Sequence, residues 1–199
     1  MIRIELPTTE GAMRKLTIGD EVSICGTLIT ARDAAHKMMV ETWPAFIDPL
    51  IRDGAIYHCG PLSRRRGNDW TILSAGPTTS AREEPYEAAV IARYGARMII
   101  GKGGMSASTL QALKRHGAVY VHAIGGASSV IARRIVQVKN VYLLNELGPP
   151  EALWELEVND MEGIVTMDAA GGSLHDIVRK QSARRLRRLL ESSPHFEGA

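Results

Sequence analysis

Between residues 70 and 134, a strand-like run ends three times in a turn of small residues that opens a helix-like run. The turns are GPTTSAR (76–82), GKGGMSAS (101–108) and IGGASS (124–129). Such alternation commits a chain to an α/β domain. Because the first third is richer in strands than in helices, the sheet is expected to be mixed.

The turns also carry chemistry. A helix start exposes unpaired backbone N–H groups at the positive end of the helix dipole, which suits an anion. In an open α/β sheet, ligands usually sit at the carboxyl ends of the strands. Arg82 and Lys102 add full positive charges to two of these turns. Phosphate loops fit less well: GKGG lacks the spacing of a Walker A loop, and no GxGxxG is followed by a suitably placed acid.

Strands are expected over 21–30, 55–60, 70–76, 96–104, 118–126, 141–147, 152–158 and 163–169. Helices are expected over 31–42, 83–95, 106–117, 127–134 and 173–190, with Ser106 as a cap and Gly95 and Gly117 as stops. Arg64, Arg65, Arg66, Gly67 and Asn68 read as a solvated hairpin loop, and 191–199 as a frayed end.

Composition narrows the function classes. The only two phenylalanines, Phe46 and Phe196, stand far apart, which argues against a base-stacking surface for nucleic acid. Six basic residues fall within 179–188 while 1–178 is slightly acidic, so the basic bias belongs to the terminal helix. That helix reads as a solvated or subunit-contacting face rather than a nucleic-acid arm. Two cysteines, Cys25 and Cys59, suffice neither for a disulfide scaffold nor for a cubane cluster, and no metal ligand set is read. No apolar run reaches membrane-spanning length and the N-terminus lacks a signal-like core, so a cytoplasmic protein without membrane contact is expected.

Several segments, taken in order, resemble one family. GTLITARDAAHK (26–37) resembles the TARD-A-H motif of the class I (iron–sulfur) fumarase C-terminal domain and the L(+)-tartrate dehydratase beta subunit. YHCGPL (57–62), GPTTSAR (76–82), GKGGM (101–105), NELGPPEALWELEV (145–158) and DAAGGSL (168–174) resemble further motifs of that family. GKGG in place of GKGN leans towards the tartrate dehydratase type.

The resemblance implies a swivelling β/β/α domain with a mixed sheet, spanning 1–178, followed by a basic terminal helix and tail over 179–199. It implies a hydro-lyase beta subunit acting on a C4 dicarboxylate, with fumarate/malate first and L-tartrate next. It also implies a cluster-binding alpha subunit that carries a [4Fe–4S] cluster, within a hetero-oligomer arranged as a dimer of heterodimers. By motif, Arg32, Arg82 and Lys102 would bind the substrate carboxylates, with Gly101 and Gly103 shaping the turn. Thr78 and Lys102 would be catalytic. His36, Asp33, Glu146 and Asp168 would stand behind them.

The chemistry fits these residue types. A guanidinium engages a carboxylate through two parallel N–H bonds and stays protonated, so it can stabilise charge gathering on an aci-carboxylate. A threonine hydroxyl is a poor base without an activating neighbour, and an orienting role for Thr78 is the competing reading. His58 and Cys59 form only a weak metal pair, and a buried strand cysteine is the simpler reading. A stand-alone anion-binding or regulatory domain is the alternative to an enzyme subunit.

Overall fold

A computed structural model describes residues 1–191. The chain begins with β1 (Ile2–Leu6), α1 (Glu10–Met13), β2 (Glu21–Thr30), α2 (Asp33–Thr42), α3 (Asp48–Ile51) and β3 (Ala55–Tyr57). A hairpin of β4 (Leu62–Arg66) and β5 (Asp69–Ser74) follows, then α4 (Glu84–Tyr94), β6 (Met98–Gly101), α5 (Ala107–His116) and β7 (Val119–His122). The last elements are α6 (Ser128–Ala132), β8 (Ile135–Tyr142), α7 (Leu144–Leu147), β9 (Leu153–Met167) and α8 (Leu174–Glu191).

The main sheet has seven strands in the order β1-β2-β3-β6-β7-β9-β8. β1, β2, β3, β6 and β7 run parallel to their neighbours, while β9 is antiparallel to β7, β8 and β2. The expected mixed α/β sheet is therefore present. Because β9 pairs with both β7 and β2, the ladder returns on itself.

That closure gives the strands two buried faces. Met98, Ile100, Val119 and Val121 pack with Ile24, Trp154, Leu156 and Val165 on one side. The alternating residues Ile56, Ile99 and Tyr120 pack on the other side against Met39 of α2, Val90, Ile91 and Tyr94 of α4, and Leu113 of α5. Each strand residue feeds the face opposite to its neighbour's, as the pleat requires.

Most expected elements stand where the pattern put them, and three are corrected. Arg64, Arg65 and Arg66 are not loop: they form most of β4, paired with β5 in a separate two-stranded sheet. Their arginines face solvent, so no apolar alternation marks the strand, and Arg65 instead lies over the Trp70 ring. The strand expected at 141–147 is displaced: β8 ends at Tyr142, Leu143 takes a left-handed conformation, and α7 follows. The two strands expected over 152–158 and 163–169 are one 15-residue strand, β9. Asp160, at φ +55, and Gly163 interrupt its apolar pattern without ending the ladder.

The terminal helix is present as α8, but none of its side chains is buried, and Ile177, Val178, Leu186 and Leu190 are exposed. The expected frayed segment beyond Glu191 lies outside the described residues. Among the described residues, no helix is long and apolar enough to cross a membrane.

Candidate active site at the carboxyl edge of the sheet

The register aligns the ends of the parallel strands. Thr30 pairs with Tyr57, Tyr57 with Ile100, and Gly101 with His122. The residues that leave these strands, Arg32, His58 and Lys102, therefore emerge along one edge.

The GPTT segment is threaded into that edge. Thr78 N–H donates to His58 O at 2.7 Å, and Thr78 Oγ1 donates to the same oxygen at 3.1 Å. Lys102 N–H donates to Thr78 O at 3.3 Å, and Ser80 N–H donates to Lys102 O at 3.0 Å. Thr78–Ser80 thus behaves as a short extra strand between the ends of β3 and β6. This ladder sets the catalytic candidates Thr78 and Lys102 side by side through their main chains.

The two arginines meet through Asp33. Arg82 Nη2 donates to Asp33 Oδ2 at 2.5 Å, and Arg32 Nε lies 3.9 Å from Asp33 Oδ1 and 3.4 Å from Glu151 Oε1. Burial pushes the Asp33 carboxyl up, but its backbone bond and Arg82 hold it below its ordinary value. Arg32 Nε is buried yet makes no hydrogen bond. The side chain runs over Gly60, where an added Cβ would lie 2.9 Å from Arg32 Nη1 and 2.5 Å from Pro150 O. Two guanidinium groups are thus held by two carboxylates, an arrangement that a dicarboxylate ligand can exploit.

Beneath this rim lies a fully buried polar cluster. Glu87 Oε2 accepts from His58 Nε2 at 2.9 Å and stands 3.2 Å from His36 Nε2. Burial works to raise the Glu87 carboxyl, but His36 and His58 more than reverse it, to about 2. Burial likewise disfavours charge on His36, yet Glu87 raises its pKa above the ordinary imidazole value. Burial raises the Glu83 carboxyl, whose oxygens make no hydrogen bond, with Oε2 at 3.9 Å from His58 Nδ1.

The remaining sequence candidates divide. Gly103, at φ +86, needs a left-handed turn, and Gly101 packs against Ser80, Tyr120 and His58. His36 lies directly behind Arg32, its Nδ1 at 2.9 Å from Arg32 O. Glu146 is exposed on α7, and Glu151 holds the place beside Arg32 instead, also capping Ala34 N–H at 3.1 Å. Asp168 is at the other end of the sheet, beyond Met167, which pairs with Tyr120 near the start of β7. There its carboxylate accepts from Ile18, Ala170 and Gly172 N–H and staples a turn.

Sequence reading passed over Glu83, Glu87, Ser80, Tyr120 and Glu151. One signal was available: Glu83 and Glu87 share a helical face with Val90, Ile91 and Tyr94, and an acid on an apolar face needs a buried partner.

A cleft of about 780 Å³ opens beside this edge, lined by Gly103, Met105, His122, Thr166 and His175. None of Arg32, Thr78, Arg82 or Lys102 lines it. Ala81 and Gly103, the immediate neighbours of Arg82 and Lys102 in sequence, do line it.

The description "Fumarase C-terminus" matches this chain over residues 1–178. The chain belongs to the fumarase C-terminus family. This family member is 45% identical over 192 residues to a protein of Geobacillus stearothermophilus provisionally named class I fumarate hydratase. It covers 96% of itself but only 37% of that relative in the comparison. It is 38% identical to a protein of Methanocaldococcus jannaschii provisionally named L(+)-tartrate dehydratase subunit beta, covering 92% of this chain and 95% of that one. The L(+)-tartrate dehydratase subunit beta of Escherichia coli K12 is 34% identical over 81% of this chain and 80% of its own length.

This fumarase C-terminus chain does not itself fit an iron–sulfur cluster. Cys25 Sγ is buried 3.4 Å from Asn159 Oδ1, while burial pushes the Cys59 thiol up to about 12 in a separate environment by Tyr57. A cubane requires three or four thiolates.

Proposed function

We propose that this chain is the beta subunit of an iron–sulfur hydro-lyase that reversibly adds water to, or removes it from, a C4 dicarboxylate. Fumarate/malate is the first choice and L-tartrate the second. In this reading the [4Fe–4S] cluster belongs to an alpha subunit, and the two assemble as a dimer of heterodimers. The domain comprises 1–178, with 179–199 as a basic extension whose first part continues α8 to Glu191.

The observation that carries the reading is the Arg32–Asp33–Arg82 ionic cluster beside the Thr78–Lys102 ladder. In the reaction, Arg32 and Arg82 grip substrate carboxylates, exchanging part of their contact with Asp33 and Glu151 for bidentate bonds to the ligand. Lys102 adds a third positive charge beside the turn. Together they stabilise negative charge as a proton leaves the carbon next to a carboxylate. Thr78 is assigned the proton transfer or the orientation of the reacting carbon. Its hydroxyl already donates to His58 O, which leaves its lone pairs free to accept.

The test is anaerobic co-expression with a cluster-bearing alpha subunit. Hydration of fumarate or dehydration of L-tartrate is expected only in the complex. Arg82→Lys should lower kcat/KM at least ten-fold with iron content unchanged. Full activity of that variant would remove Arg82 from the clamp, and a complex inactive on both substrates would refute the reading.

A further inference from the structure

We propose that Glu87 is a positioning residue of this site. Its buried carboxylate ties together, through His36 and His58, the three segments that present Arg32, Thr78 and Lys102. This inference rests on the carboxylate-clamp reading above.

The connections are continuous. His36 links Glu87 to α2: its Nε2 lies 3.2 Å from Glu87 Oε2, and its Nδ1 lies 2.9 Å from Arg32 O. His58 links Glu87 to the end of β3, and the carbonyl of His58 receives both the amide and the hydroxyl of Thr78. The other ring nitrogen of His58 lies 2.9 Å from Ser80 Oγ, which lies 2.8 Å from Tyr120 OH. Ser80 N–H in turn donates to Lys102 O at 3.0 Å, which ties in the turn that carries Lys102.

The protons can be followed along this chain. With the His58 ring proton on Nε2, facing Glu87, its Nδ1 accepts, and the order runs from Tyr120, whose hydroxyl donates to Ser80. Ser80 then donates to His58 Nδ1, and His58 Nε2–H donates to Glu87. Every bond points the same way, and Glu87 is the final acceptor. On the other branch His36 Nδ1–H donates to Arg32 O, and Nε2 faces Glu87 Oε2 at 3.2 Å as an ion pair without hydrogen-bond geometry, an approach that favours the protonated ring. His36 is then a buried cation, and Glu87 is its counterion. The groups facing His36 are Glu87 and Glu83 from the start of α4 and the His58 ring, whose centroid lies 5.1 Å away.

A buried cation without its counterion gives up its proton. Removing the Glu87 charge would therefore leave His36 Nε2 without its proton. Shortening the side chain would leave it unable to reach both rings. In each case the segments lose their common anchor. The network reaches Thr78 only through the His58 carbonyl, which has no proton to pass on, so it positions that residue and relays no proton to it.

The test uses the complex of this chain with its cluster-bearing partner, at a temperature where each variant is folded by circular dichroism. Glu87→Gln and Glu87→Asp should each lower kcat/KM at least ten-fold, while Glu83→Gln stays within two-fold. In a Thr78→Ala background, the Glu87 substitutions should cost several-fold less than in the parent, because part of their effect acts through Thr78. Nitrogen NMR of the chain alone at pH 7 should show both ring nitrogens of His36 protonated in the parent and one in Glu87→Gln.

A Glu87 loss in the Thr78→Ala background as large as in the parent would make Glu87 merely structural and overturn the proposal. So would a neutral His36 in the parent, or a stoichiometric divalent metal on the purified chain that Glu87→Asp releases. A parent complex that turns over neither substrate refutes the clamp reading itself, and the proposal with it. Activity in the parent with no loss in the variants sinks Glu87 alone.

Discussion

Gly101→Ala tests how tightly the buried network is built. An added Cβ at Gly101 would overlap Ser80 Oγ and would stand 3.0 Å from Tyr120 OH and 3.1 Å from His58 Nδ1. Gly101 is the last residue of β6, so the backbone cannot shift without disturbing its pairing with His122 and the neighbouring Lys102 ladder. The simplest relief is rotation of Ser80, which breaks its bonds to both His58 and Tyr120. Overpacking a dense interior costs about 1–3 kcal/mol, and each lost buried hydrogen bond about 1 kcal/mol more. A total of about 3–5 kcal/mol corresponds to a fall of roughly 6–20 °C in thermal midpoint for a domain of this size. Calorimetry of the isolated chain measures it directly. Gly11→Ala is the control: Gly11 lies in α1 with nothing within 4 Å of an added Cβ, so alanine should raise the midpoint slightly. A Gly101→Ala midpoint within 2 °C of the parent would refute the reasoning, because the turn would then have room to give.

Other outcomes follow from the same geometry. Asp168→Ala removes the acceptor of three backbone N–H groups and should cost about 2–4 kcal/mol by chemical denaturation, yet leave the turnover of the folded complex within two-fold. Thr78→Val, which deletes only the hydroxyl, should lower kcat at least ten-fold in the complex with little change in midpoint. Only a small change in kcat would leave Thr78 an orienting residue. The Glu87 contribution should be present in full above the ordinary carboxyl value of 4.5 and lost as pH falls from there towards about 2. His36 has the opposite sign: its contribution is complete below 6.5 and lost as pH rises through its elevated folded value. Melting midpoints across pH should therefore form a plateau between these limits in the parent. A profile identical in Glu87→Gln would contradict the pairing.

The fold was largely legible because its strands and helices are punctuated by glycine and bury regular faces. β2 and the helices α4 and α5 stand close to where periodicity and caps put them, with Ser106 capping α5 and Gly117 ending it in a left-handed turn. Elements were misplaced where that signal fails: β4 carries arginines on a solvated hairpin, and β9 continues through Asp160 and Gly163. Arg32, Thr78, Arg82 and Lys102, which the fold brings to one sheet edge, were picked out as candidates through local motifs. Glu151 was missed in favour of Glu146, and Asp168 was expected near a site that lies at the opposite sheet end.

Local sequence dictates the strand–turn–helix alternation, the cation-bearing turns and the shortage of thiols, because each depends on neighbouring residues or simple composition. Tertiary structure decided that Glu87 lies between His36 and His58, and that Asp33 joins two distant arginines. Those contacts cross between strands and helices far apart in the chain. Their strength comes from burial, which removes the water that would otherwise satisfy each group, and no local pattern records which groups are dried together.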